Sequence, residues 1–128
     1  MADPITIGTL AAATLASGAA ALGKEAVGAA AKDAYAGLKE ALLPASPKNV
    51  KKLEANPEAE HRAISVAEDV DDLDADTQAK IKKLAEALRG ALVADGQGVG
   101  IDNRIMVIAD RQGIAAGRDV NISTPLKA

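Results

Sequence analysis

The first 23 residues, MADPITIGTLAAATLASGAAALG, carry one charged side chain, Asp3, and from Ile5 to Leu22 there is none. A helix without a polar face cannot lie on a surface, so protein or lipid must surround it. The segment opens on Asp3-Pro4, a capping residue followed by one suited to the first helical position. From Pro4 to Gly23 it runs 20 residues, about 30 Å as a helix, which matches a bilayer core. Its strongly apolar members, Ile5, Ile7, Leu10, Leu15 and Leu22, supply roughly −2.5 kcal/mol toward insertion, much of it cancelled by Gly, Ser and Thr. One copy is close to neutral between water and lipid. Insertion is therefore expected only when several copies gather, with Ile5, Ile7, Leu10, Ala12, Leu15, Ala16 and Leu22 meeting lipid. Gly8, Ala12, Ala16 and Ala20 form a small-residue ridge suited to close helix contact. At rest the same helix is expected at the centre of a bundle.

Hydrophobic residues make up 48% of the chain, yet Tyr35 is the one aromatic. A core of Ala, Leu, Ile and Val buries little area per side chain, at about 25 cal/mol per Å². Close helix approach and a marginal fold are expected. The net charge is −3, and the densest basic set, Lys48, Lys51 and Lys52, sits beside Glu54. No nucleic-acid partner is expected from scattered cations. With no Cys there is no disulfide or thiolate metal site, which agrees with a cytoplasmic resting place. The N-terminus lacks the positive n-region of a secretory signal.

Further helices follow. Lys24 to Leu43 places Val27, Ala31, Ala34, Tyr35, Leu38 and Leu42 on one face, and Pro44 ends it. Ser46-Pro47 opens a short helix with Val50 and Leu53, and Asn56-Pro57 opens another with Ala59, Ala63, Val66, Ala67 and Val70. The acidic run 68–76 reads as a solvated connection; it lacks the Gly and closing Glu of a calcium loop, so no metal is expected. Asp76 or Thr77 is expected to cap a last helix striped by Ile81, Leu84, Leu88 and Leu92. Asp95 to Gly100 is a Gly-rich linker without the Lys-Ser or Lys-Thr of a phosphate loop, so no cofactor is expected.

Beyond it the chain divides into three lines of eight: DNRIMVIA, DRQGIAAG and RDVNISTP. Val120 and Ile122 alternate with Asn121 and Ser123, a two-residue period. Gly113 and Gly117 permit tight bends. Such a unit is too short to bury its own apolar face, but stacked copies pair strand edges and form side-chain ladders. The expected assembled core is Ile105, Val107, Gln112, Gly113, Ile114, Gly117, Val120, Asn121 and Ile122. A hairpin packed on the bundle and an unstructured tail are the alternatives. The fold class expected is mainly α: an Ala-rich bundle over 1–94, a linker over 95–100 and a β-forming, amyloid-type motif over 101–124.

Three segments, MADPITIGTLAAATLASGAAALGKEAVGAAAKDAYAGLKEAL, LEANPEAEHRAISVAEDV with DTQAKIKKLAEALRGAL, and the terminal QGIAAGRDVNIS, in that order, resemble the bacterial Bell proteins. These are counterparts of the fungal HeLo and HeLo-like cell-death domains. The resemblance implies a cytoplasmic effector whose C-terminal amyloid signalling motif is templated by an NLR-like NTPase receptor bearing a similar motif. Self-assembly would then drive the N-terminal helix into the cell membrane, killing the cell in defence against phage.

Three rivals stand beside that reading, of which a pore-forming toxin exported to act on other cells would need a secretion route that this N-terminus does not display. An enzyme is not expected: the one His, His61, has Ser65 a turn away but no third orienting group and no oxyanion site. A helical adaptor of death-domain type, signalling by self-assembly without touching lipid, accounts equally for 44–93 but not for the uncharged first helix.

Overall fold

Among the residues that the computed structural model describes, 6–25 and 27–117 (the backbone alone for Val99 and 111–117), there are six helices and no strand. The first, α1 (Ile7–Gly23), has Ala11 through Gly18 buried without a break. A helix buried on every side is what an uncharged sequence demands. It touches each of the other five: α2 (Ala29–Leu42), α3 (Pro47–Ala55), α4 (Glu60–Asp71), α5 (Ala75–Ala94) and α6 (Gly98–Gly117). The chain is thus a bundle wrapped round a central α1.

The outer helices are amphipathic as their spacing predicts. Buried faces are Ala31, Tyr35, Leu38 and Leu42 on α2, Val50 and Leu53 on α3, Ala63, Val66, Ala67 and Val70 on α4, and Ile81, Ala85, Leu88 and Leu92 on α5. Their ends differ from expectation. Thr6, not Asp3, caps α1, its hydroxyl oxygen accepting from the Thr9 N–H at 3.0 Å; Asp3, Pro4 and Ile5 lie outside the described residues. α2 starts at Ala29 rather than Lys24, after Gly28. α4 starts three residues beyond Pro57. Asp74 rather than Asp76 or Thr77 caps α5, its carboxylate accepting from the Thr77 N–H and hydroxyl.

The largest difference between the single chain and the sequence reading is in the C-terminal segment. Residues 101–117 are helical here, not strands, and Gly98 to Gly100 form the first turn of α6 rather than a linker. Ile101, Ile105 and Ile108, spaced four and three, are 0%, 6% and 2% exposed. That helical period competes with the two-residue one, and it wins because α1 offers an apolar surface to cover. A lone two- or three-stranded unit has no such surface and is marginal by itself. Gln112, Gly113, Ile114 and Gly117 therefore stand in the last turns of α6. Val120, Asn121 and Ile122 lie outside the described residues.

Candidate functional site

The site is α1 together with the surfaces that hold it. On the α4 side the two backbones nearly touch. A methyl on Gly8 would overlap the Ala67 carbonyl oxygen, so only glycine admits this approach. The Gly8 N–H donates to Asp71 Oδ1 at 2.9 Å. That carboxylate satisfies one of the free donors at the α1 N-terminus, where the helix dipole favours negative charge.

The acidic run is therefore more than a solvated connection. Besides Asp71, Asp69 Oδ2 accepts from the buried Ser46 hydroxyl at 2.6 Å, tying α4 to the start of α3. Asp74 is held below the usual carboxylate range by its hydrogen bonds from Thr77. Gln78 Nε2 donates to the carbonyls of Val70, Asp71 and Leu73, closing the end of α4.

On the α2 side, Gly18 leaves room for the Tyr35 ring and Leu88. The Tyr35 hydroxyl donates to Glu54 Oε2 at 2.7 Å, and Lys39 Nζ lies 2.9 Å from Glu54 Oε1. Burial, and then the hydrogen bond to Glu54 and its charge, push the Tyr35 phenol far up. Partial burial alone would raise the Glu54 carboxyl, but hydrogen bonds from Lys39 and Tyr35 and the Lys39 charge hold it below its ordinary value. α2 and α3 are pinned together by this triad.

The α6 side is built differently. Ile101, Ile105 and Ile108 join the core, and ion pairs fasten its flanks: Arg104 Nη2 to Glu58 Oε2 at 2.8 Å and Arg89 Nη2 of α5 to Asp102 Oδ1 at 3.0 Å. Openings lie on both flanks. One, of about 170 Å³, is lined by Ala16, Ala63, Arg104, Val107 and Ile108 among others. The other, of about 440 Å³, takes in Ile7, Leu10, Lys82, Arg89, Ile105 and Met106.

The residues expected to meet lipid are thus placed at rest. Ala12, Leu15 and Ala16 are buried, Leu22 is half-buried, and Ile7 and Leu10 are half-buried beside a groove. Of the residues expected in an assembled core, Ile105 is buried and Val107 is exposed. α1 and α6 meet directly: Ile105 shares a groove with Ile7 and Leu10, and Val107 shares a cavity with Ala16. Ile101 and Ile108 were missed as anchors, although their spacing around Ile105 carried the signal. Asp71 and Arg104 left none, since their partners are 63 and 46 residues away. The Ser65 hydroxyl donates to the His61 backbone carbonyl, not to the imidazole.

Among the described residues no helix is long and apolar enough to cross a membrane. No curated protein and no solved structure matches the chain. The family profile described as the Het-E N-terminal domain matches residues 2–124. A bundle enclosing an uncharged first helix, with that match over nearly its whole length, makes this chain a member of the Het-E N-terminal domain family, which is related to the HeLo-like cell-death domains.

Proposed function

We propose that the protein is a cell-death effector of the Bell type in which α6 couples C-terminal assembly to release of α1. At rest it is cytoplasmic. An NLR-like NTPase receptor with a similar motif templates residues 101–124 into an amyloid fold, and copies of the chain join that assembly. The observation that carries this reading is that α6 holds the first part of the motif while Ile101, Ile105 and Ile108 cover α1. One segment cannot be helix on α1 and strand in a fibril at once, so templating strips the cover from α1. Gathered copies of α1 then act on the cell membrane together, as effective concentration rises without new contacts. No single copy is required to span it.

The test is dye release from anionic liposomes by the full chain, with and without preformed fibrils of the 99–124 peptide. Leakage is expected only with fibrils. Val120→Pro should abolish seeded leakage, because proline cannot donate to a strand ladder, and an unchanged melting temperature of the resting protein checks that the bundle is kept. Ile108→Ala should weaken the cover and lower the amount of fibril needed. Seeded assembly of the chain without leakage would favour the adaptor reading and overturn this one. Ala12→Asp and Ala16→Asp are poor probes, because both sites are buried at rest and an unpaired buried carboxylate would unfold the bundle itself.

A further inference from the structure

α1 carries two polar atoms for which the resting bundle has no use. Thr14 is fully buried and Ser17 is 6% exposed, and neither hydroxyl oxygen has a hydrogen-bond partner. In a helix each can bond back to the carbonyl one turn earlier; here neither does. Leaving a buried hydroxyl unpaired is costly, and Val or Ala of similar size would avoid that cost. The resting fold therefore accounts for Gly8, which must admit the Ala67 carbonyl, but not for Thr14 and Ser17.

The unexplained pair also lies on a different side of the helix. Ile7, Leu10, Thr14, Ser17 and Ala21 are spaced three, four, three and four, the heptad pattern of a helix–helix seam. At 100° per residue this seam is centred roughly opposite Ala12 and Ala16. Its first two members are half-buried and line the groove that Ile105 and Met106 of α6 share. Departure of α6 thus uncovers the seam from that end.

We propose that freed α1 pairs with a parallel copy of itself from a second chain along Ile7, Leu10, Thr14, Ser17 and Ala21, the Thr14 and Ser17 hydroxyls each meeting their counterparts. This rests on the release of α1 proposed above. A hydroxyl is both donor and acceptor, so two identical ones satisfy each other. Parallel register sets like beside like across a heptad seam. Serine and threonine hydroxyls bond between helices in lipid, where small residues also let backbones approach. The partner is a second copy of this chain, and the seam rather than the Gly8–Ala20 ridge is the contact.

The chain has no cysteine, so single cysteines report the contact cleanly. Full-length Ala21→Cys (on the seam) and Ala12→Cys (on the far face) are bound to liposomes of phosphatidylcholine and phosphatidylglycerol, seeded with 99–124 fibrils and oxidised with copper phenanthroline. A disulfide forms only where Cα atoms come within about 7 Å. Ala21→Cys is expected to cross-link and Ala12→Cys to stay monomeric. Adding Thr14→Val and Ser17→Ala to Ala21→Cys should raise the melting temperature of the resting protein. The same pair of changes should cut cross-linking roughly tenfold, since two interhelical hydroxyl bonds are lost. Thr14→Ser should restore it. Cross-linking at position 12 instead of 21, with liposomes leaking, overturns the seam and leaves the membrane reading standing. Undiminished cross-linking in the Val and Ala variant overturns the role of the hydroxyls. If the unmodified chain neither leaks nor cross-links at either position, release of α1 fails and the seam falls with it.

Discussion

The α4 side and the α6 side of the central helix are built on opposite plans. Against α4, α1 presents Gly8 to a backbone carbonyl and receives the Asp71 carboxylate at its N-terminus. Such a contact has one geometry and no slack, because main-chain atoms cannot turn aside as side chains do. Against α6, contact runs through three isoleucines, with ion pairs at the surface and openings on both flanks. We expect side-chain packing of this kind to release as a unit while the rest of the bundle stays folded. On the function proposed above, α6 is the side of the sheath that opens.

The largest expected effect is on the α6 side. Ile101→Ala, at a fully buried position, should cost about 3 kcal/mol. Hydrogen exchange should show the loss confined to α6, with α4 amides still protected; equal loss in both would make them one cooperative unit and break the comparison. Gly8→Ala probes the other side and should cost about 2 kcal/mol in chemical denaturation, since overpacking against backbone has no cheap relief. Gly23→Ala is its control: a methyl there meets nothing within 4 Å and should stabilise by about 0.5 kcal/mol through helix propensity.

The ion pairs sharpen the contrast at a smaller scale. Arg104 and Glu58 side chains are 21% and 77% exposed, so Arg104→Gln should cost no more than about 1 kcal/mol, and the difference should vanish in 1 M salt. A cost that persists in salt would mean that Arg104 acts by packing. Acid gives the smallest effect. The Glu54 carboxyl is held below its ordinary value of 4.5 in the folded chain. The stability it contributes is therefore present above that value and is lost as pH falls below it toward the folded pKa. Glu54→Gln should flatten the acid limb of a melting-temperature profile, and an unchanged limb would assign acid sensitivity elsewhere.

The sequence by itself determined that α1 had to be enclosed, because an uncharged segment leaves no face for water, and it determined five helices through apolar spacing and proline starts. It placed the small-residue ridge but not its purpose, since nothing local to Gly8 announces the Ala67 carbonyl opposite it. Helix starts slipped by a few residues where several capping side chains compete, as at Asp74, Asp76 and Thr77. For the segment around Ile105 both periods were written in the same letters, the helical one in Ile101, Ile105 and Ile108 and the alternating one further on. Only the tertiary structure decided between them over 101–117, because a helix there has α1 to cover while a strand has no neighbour. It also decided that α1 and α6 lie against each other, bringing together residues about a hundred positions apart in sequence, as no local pattern encodes.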